Sequence, residues 1–221
     1  MRYVVQVELV YNFLMHLRSL HFFKFTKYSH ISEILTLNDV LYWGGDTFVS
    51  VVLALFVVQY IDGASASSVG LAYMIYRLTS SLSTSYIGRM FDRIKGYKDE
   101  IWALFAASVI AGVTYISLSS ATKIWHLYLA MGIVGVCRSF DVNAWKMIFY
   151  SHLEPKTKGR TMGTYDAIWG VTAGAIAALS GFLGEAYGFR NVILIAGIII
   201  LLGGIPVLSL RRDSLLKSST D

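Results

Sequence analysis

The sequence predicts an all-α integral membrane protein with six transmembrane helices. Three observations carry that reading. Of 221 residues, 55% are hydrophobic and 15% charged, with a mean hydropathy of +0.56; a soluble domain carries about 25% charged residues. The apolar residues also come in blocks of about 20 or more, the length that crosses a hydrocarbon core of about 30 Å. Finally, lysine and arginine gather in every second inter-block loop, as they do when alternate loops lie on opposite sides of a membrane.

Residues 1–37 are aromatic and basic: Phe13, Phe22, Phe23 and Phe25 alternate with His16, Arg18, His21, Lys24 and Lys27. They read either as a helix lying in the headgroup region or as a poorly ordered leader, and they lack the cleavage site of a signal peptide. The first span runs from Val40 to Ile61 with one charge, Asp46. The second, Ala66 to Ile87, is the most polar. It holds Arg77 and the nine Ser/Thr between Ser65 and Ser85, and Gly70, Tyr73, Arg77, Ser80 and Thr84 share one face that favours other helices or water over lipid. The third, Ile101 to Ser119, is uncharged. The fourth, Ile124 to Phe149, carries Arg138 and Asp141, has a small-residue face of Gly132, Gly135 and Ser139, and ends near a snorkelling Lys146. In the fifth, Thr161 to Leu183, Gly163, Asp166, Gly170, Gly174, Ala177, Gly181 and Gly184 recur at steps of 3, 4, 4, 3, 4 and 3, a face that lets another backbone approach closely. The sixth runs from Asn191 to Leu210 with Pro206 near its end, and 211–221 form a basic tail.

Counting Lys and Arg by side tests the ladder. The segment before the first span and those after the second, fourth and sixth hold 4, 4, 3 and 3; the other loops hold only Lys123 and Arg190. The asymmetry of 14 to 2 places both termini in the cytoplasm, for a protein of the plasma or inner membrane. A missed span would mix the two sides.

Five charges lie inside spans: Asp46, Arg77, Arg138, Asp141 and Asp166. Each costs about 2.5 to 3.5 kcal/mol at the centre of a helix on insertion scales, so each is expected to face the protein interior. Arg138 and Asp141, at i and i+3, can pair directly. These five are the candidate substrate or ion site, with Arg77 reading an anionic or polar solute and Asp46 or Asp166 balancing it or taking a proton. The alternative is that they are internal ion pairs that only hold the bundle.

The loop GRMFDRIKGYK, Gly88 to Lys98, sets Asp92 among Arg89, Arg93 and Lys95. Gly88, Asp92, Arg93 and Gly96 resemble the G-x-x-x-D-R-x-G-[RK] loop of the major facilitator superfamily, and EPKTKGRTMG and GEAYGFR resemble that family's loops around the fifth span. Lys95 departs from the motif at the usual second glycine, and the fifth span lacks the Gly-Pro pair of the antiporter subgroup. The resemblance covers about Leu37 to Leu210. It implies one six-helix half, a 3+3 inverted repeat, of a transporter whose two halves are related by an axis along the membrane normal; that description is the family's, not one read from these residues. It implies that the Gly88–Gly96 loop, Lys95 included, gates one access state. It also implies transport of a small solute, with or without a coupling proton, through a parallel homodimer or with a half encoded elsewhere. The glycine face, Gly163, Gly170, Gly174, Gly181 and Gly184, is then an inter-half seam or an internal packing face.

Other classes have little support. The basic residues sit in short loops between apolar blocks, so a pI of 9.2 does not indicate nucleic acid. Cys137 is the single cysteine, which excludes an intrachain disulfide, and no metal-ligand spacing, nucleophile triad or phosphate-binding glycine loop occurs. The chain is therefore not expected to be an enzyme or to hold a cofactor or metal. The competing readings are a membrane scaffold or assembly subunit and an inactive half-transporter fragment.

Overall fold

The computed structural model describes residues 30–93 and 96–212. They form six helices: α1 His30–Tyr60, α2 Ala66–Phe91, α3 Lys98–Ser119, α4 Ile124–Ser151, α5 Lys158–Tyr187 and α6 Phe189–Gly203, followed by a 3-10 turn, Pro206–Arg212. Both prolines fall outside the helices, where a missing N–H breaks no ladder. Gly188, at φ +90, makes the corner between α5 and α6, a conformation that other residues rarely adopt.

The helices extend beyond the apolar blocks. α1 begins at His30 rather than near Val40, because Ile31 and Leu35 continue its apolar face and are fully buried against Ile87, Phe91, Ile101, Leu104 and Ile148. Residues 30–37 are thus its first two turns, and the other residues of the basic leader lie outside the described ones. α6 stops at Gly203, and Pro206 opens the 3-10 turn in its place.

By length and composition, α1, α3, α5 and α6 continued to Leu210 can cross a membrane. α2 and α4, at 26 and 28 residues, are long enough but too polar to be recognised alone. Their polar groups face each other. The Ser139 hydroxyl of α4 donates to the Ser80 carbonyl of α2 at 2.7 Å and lies 2.9 Å from Ser83 Oγ, while Asn143 reaches the Thr84 carbonyl at 3.4 Å. At Gly135 a Cβ would meet Thr79 Oγ1 and, at 2.5 Å, the Tyr76 carbonyl, so the two backbones touch there. The serine-rich composition of α2 therefore serves a helix–helix seam.

Contacts fix the layout. α6 packs along α3 and α1, α4 along α2 and α3, and α5 along α1. Exchanging the first three helices with the last three maps these principal contacts onto one another; the smaller α5–α6 contact has no equal counterpart. α3 and α6 thus form one side of the bundle. α1 and α4 lie in the middle and touch only lightly, and α2 and α5 flank them. Away from the α3–α6 seam, α2 and α5 make no extensive contact with each other among the described residues. The loop ends sort as well: the Asp62 N–H donates to the Thr122 carbonyl at 2.9 Å and Arg190 lies 5.0 Å over the Tyr60 ring, so the three loops poor in Lys and Arg share one end. At the other end Tyr97 meets His152 edge-on.

Candidate functional site

Between α1 and α4 the sequence places polar residues at helical steps. Asp39, Trp43 and Asp46 follow at 4 and 3 on α1, and Arg138 and Asp141 at 3 on α4. Each set lies on one face of its helix. These faces meet each other and reach α2, α3 and α5. The Tyr115 hydroxyl donates to Asp46 Oδ1 at 2.6 Å. Arg138 donates to the Tyr76 hydroxyl at 2.9 Å and lies 4.1 Å over the Trp43 ring, while Trp43 Nε1 donates to Asp141 Oδ2 at 3.1 Å. Tyr165 donates to Asp39 Oδ2.

Arg138 and Asp141 are brought into one cluster but not into the direct pair their spacing allows. Trp43 comes between them, taking the guanidinium on its face and the carboxylate on its N–H. Asp141 is 1% exposed, and its Oδ1 accepts no hydrogen bond. Such an oxygen is costly to bury and is open to a proton or a cation. The Tyr42 hydroxyl beside it is also buried without a partner.

The remaining expected site residues spread outward. Arg77 is exposed on α2, its guanidinium 5.9 Å from the Tyr76 ring, and its field, with that of Arg138, reaches Asp46. Asp166 is exposed on α5 rather than turned to the interior, because α5 contributes only Thr161, Ser180 and Gly184 to the buried set. On the glycine face, Gly184 packs on Phe189 and Val52, whereas Gly163, Gly170, Gly174 and Gly181 have open space where a Cβ would stand. Gly88 lies at the α2–α4 contact, 3.8 Å short of Asn143 Oδ1 for an added Cβ; Asp92 and Arg93 are exposed, Gly96 sits at φ +92, and Lys95 lies outside the described residues.

Five residues of the cluster are not singled out by the sequence: Asp39, Trp43, Tyr76, Tyr115 and Tyr165. A first span that starts at Val40 leaves Asp39 outside it. The recurrence of Asp39, Trp43 and Asp46 at one helical face was the available signal.

A cleft of about 280 Å³ opens where α1, α4 and α5 converge. Asp39 and Trp43 line it from α1, Asp141, Trp145, Lys146 and Tyr150 from α4, and Tyr165 and Trp169 from α5. Trp145 is pinned by its N–H to the Leu35 carbonyl at 3.3 Å and stacks on Phe149 at 4.3 Å. Among the described residues no three His, Cys, Asp or Glu side chains converge as a metal site would require. The cleft is mostly aromatic with a few polar groups, a composition that small-molecule sites share.

Compared with known proteins, residues 35–220 match the family model of the Major Facilitator Superfamily. No curated protein matches the chain.

Proposed function

The chain belongs to the Major Facilitator Superfamily, a family of membrane transporters, and from that premise we propose that it carries a small solute by alternating access. The observation that bears this reading is the open face. The α1–α4 cluster of Asp39, Asp46, Arg138 and Asp141 lies between flanking helices whose outer faces, Arg77 on α2 and Asp166 with Gly163, Gly170 and Gly174 on α5, are uncovered by the described residues. Polar groups at membrane depth are stable only against protein or water. A second six-helix half, either a parallel copy of this chain or a separate one, would cover them and enclose a pathway. Six spans, both termini in the cytoplasm, and a membrane domain of residues 38–210 complete this topology. The uneven placement of Lys and Arg, the sorting of loops to two ends and the contact set shared by the two triplets of helices support it.

In this mechanism the cleft binds solute, Asp141 or Asp46 exchanges a proton where coupling occurs, and the Gly88–Gly96 loop re-pairs Asp92 with Arg93 or Lys95 as the halves rock. Asp166 and Arg77, on the uncovered faces, border the pathway rather than its centre. The test is uptake by liposomes holding the purified chain, with native mass measured in detergent. Solute accumulation that Arg138→Ala abolishes, from a dimeric species, is the expected result. Unchanged uptake in Arg77→Ala at normal membrane level removes Arg77 from the site, and a chain that is inert across solute classes is a scaffold.

A further inference from the structure

Within the α1–α4–α5 cleft, the geometry points to an organic ammonium ion as the ligand, its cationic centre against Asp141 Oδ1 and its carbon substituents against Trp43, Trp145 and Trp169; we infer this as the solute class of the site proposed above, and it rests on that reading. Charge balance is the first support. Three carboxylates, Asp39, Asp46 and Asp141, stand in this part of the interior with one cation, Arg138. Arg138 is already engaged by Tyr76 and by the Trp43 ring, and the carboxylates are held by the neutral donors Tyr165, Tyr115 and Trp43. One carboxylate oxygen of the cluster is buried without a hydrogen bond, Asp141 Oδ1, and Asp141 is a residue of the cleft wall.

Wall chemistry is the second support. Indole faces attract cations, most strongly where water is excluded, and recognition of substituted ammonium by aromatic walls is a general use of that attraction. The protein already does this once here, with Arg138 over Trp43 at 4.1 Å. Lys146 also lines the cleft, but it is exposed, and no ion pair joins it to Asp39 or Asp141. Its ammonium therefore does not supply the missing charge. It stands where the acidic group of a zwitterion would have to lie.

The test uses the purified full chain in detergent and reads thermal midpoint and tryptophan fluorescence on titration with choline, with its uncharged carbon isostere, and with glycine betaine. Choline raises the midpoint and changes the fluorescence, the isostere does neither, and Asp141→Asn weakens choline binding about tenfold or more, as loss of a charge-assisted contact requires. Trp169→Leu, at a partly exposed residue, weakens binding and spares folding. An equal response to the isostere, or choline binding retained in Asp141→Asn, overturns the assignment. So does a betaine response that exceeds that of choline and is lost in Lys146→Gln, which would mark a zwitterion site. Binding and uptake separate the two claims: choline bound without uptake in liposomes leaves this inference standing and sinks the carrier reading. Uptake of another solute with no response to choline does the reverse.

Discussion

Two glycine-bearing surfaces of this molecule are opposites. Where α3 crosses α6, Gly112 and Gly197 face each other so closely that a Cβ on either would stand 2.7 or 2.8 Å from the other's carbonyl oxygen. Along α5, Gly163, Gly170, Gly174 and Gly181 form a far more regular stripe, and none of the described residues comes within 4 Å of a Cβ placed there. A small residue in a membrane helix permits close approach without showing what approaches. Each α3–α6 glycine stands opposite its partner across a seam. The α5 stripe has no such partner among the described residues.

The largest contrast should come from placing one bulky residue on each surface. Gly112→Leu would drive a side chain into Gly197 and Leu201, where backbone on both sides prevents rotamer escape. Overpacking costs about 1–3 kcal/mol and sometimes more. We expect at least about 3 kcal/mol here, read as a collapse of the thermal midpoint in detergent or loss of folded protein, whereas Gly170→Leu leaves the midpoint in place. Equal destabilisation by the two would erase the comparison.

The α2–α4 seam extends the rule to a second crossing. Gly135→Val meets Thr79, which can turn away, and the Tyr76 carbonyl, which cannot, but valine is smaller than leucine, so a loss of about 2–3 kcal/mol is expected. Arg138 uses the Tyr76 hydroxyl, one turn from Gly135, so solute binding should suffer alongside stability. A midpoint within a degree of the parent would show that the backbones part more easily than their contact suggests. Smaller again is Ser139→Ala. It removes the donor to Ser80 and the contacts with Ser83 and Thr84 but keeps the volume, for about 1 kcal/mol. An unchanged midpoint would mean that these hydroxyls bond as well within their own helices.

The same contrast explains what the sequence disclosed. Helix order, the short loops and the polar role of α2 were legible because they rest on local length, composition and period. The α4 face of Gly132, Gly135 and Ser139 was legible too, and it does meet α2. Gly112 and Gly197 were not, since neither belongs to a small-residue stripe at steps of three and four and each has its partner 85 residues away. Period also misled at Asp166. It places Asp166 beside Gly163 and Gly170, but which part of that face is covered is decided by α1 and α6, which meet it at Gly184 and leave Asp166 exposed. In the central cluster, Asp46, Arg138 and Asp141 could be suspected from their cost in lipid. The interposition of Trp43, which replaces an ion pair with a cation–π contact and an N–H donor, follows from how α1 leans against α4, and no spacing rule carries that.

The smallest expected effect on stability, and the sharpest on assembly, is at Gly174. With nothing within 4 Å of a Cβ there, Gly174→Leu should shift the midpoint of the single chain by no more than about 0.5 kcal/mol, the range of ordinary surface changes; leucine is also the better helix former. If α5 meets a second half, the added side chain holds the two backbones apart. The dimer fraction in native mass then falls, and disulfide crosslinking through Gly174→Cys in membranes, strong in the parent background, is lost when Gly170 also carries leucine. Cys137 is buried and does not compete for that reaction. Destabilisation comparable to that of Gly112→Leu would mean that the stripe is covered within the fold. A monomer with no crosslink at Gly174 would mean that it meets only lipid, and Asp166 would then stand on that lipid-facing surface without protein or water to receive it.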